Sequence, residues 1–159
     1  MEKWEARCVL QYYRSIPGSR KMLVQEQQEI EAAYFGLRGN AMDGLPHGAS
    51  VGKPVESVVL ALEKSGDGER LREIGEKLRE LDADQKAVRA ALDGLNDRYK
   101  RVLVGRYVRG YSWGGMSARM GVPDSTVRHW AEKGLVRLAE ALENVGRPGL
   151  ADRGKRSGV

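Results

Sequence analysis

Between residues 95 and 142 the apolar periodicity breaks twice, and those two breaks restrict the fold more than any other feature of the chain. Leu95, Val102, Leu103 and Tyr107 recur at helical spacing, and Gly110 ends the run. A short helical pattern follows from Ser112 to Met120, and Gly121 then marks a tight turn. A longer pattern opens at Pro123 and runs to about Leu142. Two helices joined by a short glycine-containing turn form a helix-turn-helix, whose second helix is sized for the major groove of double-stranded DNA.

Charge is concentrated on the same stretch. Residues 1–97 carry fourteen basic and seventeen acidic residues, whereas residues 98–137 carry nine basic and two acidic ones. A localised excess of Lys and Arg is the electrostatic footprint of phosphate binding. The chain has no run of 18 apolar residues, and its N-terminus has no cationic start followed by an apolar block, so neither a membrane span nor a secretory signal is predicted. A single cysteine, Cys8, rules out an internal disulfide and a Cys-cluster zinc site. No phosphate loop, zinc-protease motif or nucleophile elbow occurs, so neither enzyme activity, metal nor cofactor is expected, and the cytoplasm is the expected location.

The first 92 residues are predicted to form a helical hairpin or coiled coil. Val9, Ile16, Leu23, Ile30 and Leu37 fall seven apart. Pro17-Gly18 predicts a break there, with Ser15 capping a new helix. Residues 39–53 hold four glycines and Pro46 and are expected to form a loop, with His47 lacking metal-ligand company. Pro54 can start the next helix, and Ser65–Gly68 looks like a break. After it Leu71, Ile74, Leu78, Leu81, Val88, Leu92 and Leu95 keep a heptad, with Gln85 in the vacant seam position. Such helices could pair within one chain or across a homodimer. Asp82 and Asp84 are expected on a solvated flank. The stretch 144–159, with Pro148 and four glycines, is predicted to be a disordered basic tail. The expected architecture is thus all-α: hairpin 1–92, three-helix unit 93–143, tail 144–159.

Within the three-helix unit, Val127, Ala131, Leu135, Leu138 and Leu142 should face the core. The opposite side then shows Ser125, Thr126, Arg128 and His129, the candidates for groove contacts, because hydroxyls bond base edges or phosphates and Arg pairs with guanine through two bonds. Lys133, Arg119, Arg109 and Arg106 are the phosphate candidates. Ser112 can cap the second helix and lies within the same DNA-binding set. Small Ala118 would let helices approach, and Trp113 and Trp130 are expected as core-facing anchors.

Residues Arg106-Tyr107, Gly110, Ser112, Ala118, Met120-Gly121-Val122, Ser125–Arg128 and Gly134-Leu135 to Leu138 make the segment resemble region four of bacterial sigma factors. The wider chain, through YYRSIPG (12–18), GLRG (36–39), DGLPHG (43–48), RYVRGYSW (106–113) and DSTVRHW (124–130), resembles small sigma-like regulators of Gram-positive prophages. That resemblance implies control of phage transcription by a region-four-like activator, with RNA polymerase as a further partner. The alternatives are a small-terminase-like DNA-packaging subunit and a protein-only transcription adaptor. Gly114 and Gly115 depart from the sigma pattern, and each internal glycine, Gly134 in the third helix included, costs up to roughly 1 kcal/mol relative to Ala. Replacing Gly114 and Gly115 by Ala is therefore expected to raise the melting temperature.

Overall fold

The computed structural model describes residues 1–36 and 55–158, and the expected loop at 39–53, with His47, lies outside them. Every regular element among the described residues is helical. In chain order these are α1 (Lys3–Glu31), α2 (Val55–Ser65), α3 (Asp67–Asp93), α4 (Asp97–Leu103), α5 (Trp113–Met120), α6 (Asp124–Val145) and α7 (Leu150–Ser157). π-Helical turns extend α1 over Ala32–Gly36 and α4 over Val104–Val108. No helix among the described residues is long and apolar enough to cross a membrane.

α1 does not break at Pro17. Proline removes one backbone donor, leaving the Tyr13 carbonyl without its helical partner. The ring lies on the exposed side, and the neighbouring Ser15 hydroxyl donates to the Tyr12 carbonyl at 2.6 Å instead of capping a new helix. Ile16 is fully buried one position earlier, so packing holds the helix through the proline.

The chain forms two compact units. One, residues 18–80, pairs the second half of α1 with α2 and the start of α3. Arg70 grips Glu26 with two bonds at 2.6 and 2.7 Å, and the Tyr34 hydroxyl meets Ser65 and Asp67 at 2.7 Å each. These contacts run in opposite chain directions and define an antiparallel hairpin. Gly66, at φ +77°, separates α2 from α3.

The other unit joins residues 1–17 to residues 81–159. Its core draws on Ala6, Val9, Leu10 and Ile16 of α1, Leu81, Val88 and Leu92 of α3, Val102 and Leu103 of α4, and Leu135, Leu138 and Leu142 of α6. The heptad positions Val9, Ile16, Leu81 and Val88 therefore pack into the same unit as the helix-turn-helix, where the sequence pattern suggested a separate hairpin.

The stretch expected as a disordered tail over 144–159 is instead helical over Leu150–Ser157, a correction to that expectation. Gly146 at φ +65° ends α6, Gly149 at φ +71° opens α7, and Leu150 is buried. Three of its four cations have partners within the chain: Lys155 pairs with Glu5 at 2.6 Å, and Arg147 and Arg153 converge on Asp84. Asp84 is fully buried, not on a solvated flank. It accepts from Arg153 Nε and Nη2 at 2.6 Å each, from Arg147 Nε at 2.8 Å and from the Tyr12 hydroxyl at 2.7 Å. A carboxylate can be buried only when its lone pairs are met in this way. Burial pushes the Asp84 carboxyl upward, but the bonds from Arg153, Tyr12 and Arg147 outweigh it and hold the group below the usual carboxylate range.

Gly154 lets α7 approach α1. A methyl group there would lie 3.0 Å from the Val9 backbone nitrogen and 3.1 Å from its Cα. Backbone cannot yield as a flexible side chain can, so Gly154→Ala is expected to cost about 1–3 kcal/mol, the usual overpacking penalty, in urea unfolding. An unchanged midpoint would show that α7 slides freely.

Candidate nucleic-acid interface

The helix-turn-helix is α5, the turn at Gly121 and α6. Ser112 adopts extended backbone and its hydroxyl accepts from the Gly115 amide at 3.0 Å, which starts α5. Gly121 takes φ +67° and its amide reaches the Ser117 carbonyl at 2.9 Å, ending α5 in the left-handed conformation that glycine adopts without strain. The Ser117 hydroxyl closes the turn by donating to the Val122 carbonyl. Val102, Met116, Val127 and Ala131 form the buried cluster, flanked by Tyr111, Trp113, Met120, Val122 and Trp130. Ala118 is exposed and mediates no close approach. That part falls to Gly134, where a methyl group would stand 3.3 Å from Leu103 and Tyr99 at the crossing of α6 over α4.

Gly114 and Gly115 now separate. A methyl group on Gly114 would meet nothing within 4 Å, whereas one on Gly115 would lie 3.1 Å from the capping Ser112 oxygen. Gly114→Ala alone is expected to raise the thermal midpoint by about 2 °C, as helix propensity predicts. Gly115→Ala should give less or lower it. Equal gains from the two would mean that the Ser112 cap contributes nothing.

The predicted core face of α6 is buried throughout: Val127, Ala131, Leu135, Leu138 and Leu142 are each at most 3% exposed. Its other side carries Ser125, Arg128, His129 and Lys133 in the open, with Thr126 half-buried. Residues 125, 129 and 133 repeat every four positions and so share one stripe along the first three turns. Glu132 lies beside that stripe, and its charge is met by Lys3 at 2.7 Å.

Arg106 and Arg128 come together on one ring. Their guanidinium carbons stand 4.7 and 5.3 Å from the centre of the Trp113 ring, within cation–π range. Arg106 Nη1 also donates to the Tyr111 carbonyl at 3.1 Å. Trp113 and Trp130 thus pack on the core with one part and seat cations with another, Trp130 holding Arg98 at 5.0 Å.

Arg109 and Arg119 are placed differently. With Lys100 and Arg101 they line a cavity of about 420 Å³ whose walls include Tyr111 and Met116 and no residue of α6. Arg119 stacks on Tyr111 at 3.9 Å. Arg98, Lys100 and Arg101 add further cations beside the helix-turn-helix, Lys100 being paired with Asp93. They stand on α4, outside the helix-turn-helix pattern, and only helical spacing from Val102 and Leu103 could have marked them as outward.

No curated protein and no solved structure matches the chain. Residues 85–138, from the second half of α3 into α6, match the sequence model of the family described as sigma-70, region 4, so the helix-turn-helix within this stretch is similar to that of sigma region 4.

Proposed function

We propose that the chain is a non-enzymatic, sequence-specific DNA-binding regulator of transcription. The first turns of α6 enter the major groove of double-stranded DNA, with Ser125, Thr126, Arg128 and His129 at base edges or nearby phosphates. Arg106 and Lys133 meet phosphates. One observation carries this reading. The outer side of α6 presents Arg128, His129 and Lys133 to solvent, on the element that ends the sigma-region-4-like stretch. The resemblance to prophage regulators extends the proposal to a region-four-like activator of phage genes that contacts RNA polymerase in the bacterial cytoplasm. Pairing of two copies through the N-terminal helices belongs to the same proposal. It is supported by the partly exposed heptad residues Leu23 and Ile30 and by exposed Met22, Val59 and Leu60.

Selection of bound duplexes from a random pool, at two salt concentrations, tests the central claim. One enriched motif is expected at both, with weaker binding at the higher salt as displaced counterions require. Binding without an enriched motif would overturn sequence-specific reading, and no binding even at low salt would favour the protein-only adaptor. Light scattering on the same preparation is expected to give a dimer. A large closed ring would favour DNA packaging.

A further inference from the structure

We infer that Trp113 is a positioning residue for base reading: its indole seats Arg128 and so fixes the direction in which that side chain leaves α6. The inference rests on the DNA-reading proposal above. The Arg128 side chain is 59% exposed, and its ion pair with Asp124, one turn earlier, spans 3.6 Å at the surface. An exposed pair of that length holds a long side chain weakly. Trp113, by contrast, is itself held. It packs against the buried cluster of Val102, Met116, Val127 and Ala131, which spans α4, α5 and α6. A ring anchored in the core and open to a cation is a fixed platform for a planar guanidinium.

The same ring takes Arg106 from the π-helical turn before α5. Two guanidinium groups held by one indole repel each other, and Asp124 is the carboxylate paired with Arg128 there. An incoming anion or acceptor relieves that repulsion. Arg106, tied to the Tyr111 carbonyl, suits a phosphate oxygen, and Arg128, on the reading helix, suits the paired acceptors of guanine. A guanidinium aimed in advance discriminates between base edges because it cannot swing to the nearest phosphate. A loose one binds all sequences alike.

The test compares Trp113→Leu and Trp113→Phe in the full chain, on the duplex selected above and on a random duplex. Trp113→Leu is expected to lower the ratio of the two affinities about fivefold, the size of one exposed cation–π contact, while random-duplex affinity stays within about twofold. Trp113→Phe, which keeps a ring, should retain most of the ratio. Arg128→Lys, which keeps the charge without the planar group, should lose it. Combining Arg128→Lys with Trp113→Leu should cost no more than the larger single change, since both break one contact. If Trp113→Leu fails to fold, Trp113→Met fills the same cluster without a ring and replaces it. An unchanged ratio in the ringless variant, a parallel fall of both affinities with the thermal midpoint, or strict additivity would overturn the inference. Failure of the DNA-reading proposal is separate: the unaltered protein would itself show no preference between the two duplexes.

Discussion

Asp84→Asn is expected to lower the unfolding free energy by about 3 kcal/mol, measured by urea denaturation at neutral pH. The carboxylate is fully buried and accepts four bonds, three of them from two arginines. Removing one member of a buried charge cluster typically costs 3–5 kcal/mol, because the charges left behind have lost their counterpart. The lower end applies here, since the side chains of Arg153 and Arg147 keep 17% and 29% of their exposure and can recover some hydration. The pH dependence follows from the depressed carboxyl. A group that ionises more readily in the folded state adds stability above its unfolded value, about 3.9 for Asp, and that stability is lost as pH falls through the folded value. Wild-type stability should therefore drop below about pH 4 more steeply than that of Asp84→Asn. Parallel acid profiles would show that Asp84 carries no linkage.

Arg128→Ala and Lys133→Ala should weaken DNA binding in different ways. Loss of a base-reading arginine is expected to cost about 1–3 kcal/mol on the selected duplex and to relax preference at one base pair. Loss of a phosphate-contacting lysine should weaken all sequences alike and reduce the slope of log affinity against log salt by about one. Fluorescence anisotropy on selected and random duplexes across a salt series reads both. Identical behaviour of the two variants would overturn the division of the α6 surface into base-facing and phosphate-facing residues.

The parts of this fold that sequence reveals are those specified by residues close together. The three-to-four spacing from Val127 to Leu142 fixes the buried side of α6 and, with it, the outward placement of Arg128, His129 and Lys133. Gly121 and Ser112 mark the turn and the cap because each acts on backbone within a few residues. What escaped the sequence depends on distant partners. Asp84 looks like one of two flanking carboxylates in Asp82-Ala83-Asp84, and nothing nearby reveals that Tyr12, Arg147 and Arg153 will close on it. The glycines at 146, 149 and 154 look like disorder by composition. Two supply positive φ at a turn, and the third supplies a close approach that only the Val9 backbone explains. Pro17 signals a break by local rules, and burial of Ile16 overrides it. The seat shared by Arg106 and Arg128 is invisible for the same reason, since residues 106, 113 and 128 have no common helical period.

The unit that holds the helix-turn-helix is closed by two helices far apart in sequence, α1 and α7, with Val9, Leu10 and Ile16 in the same unit as Leu150. A ribosome adds about 5–20 residues per second, so the α1 side chains emerge on the order of ten seconds before Leu150 does. During translation they have no finished core to enter until α7 has emerged, and until then this part of the nascent chain must be shielded or remain loosely collapsed.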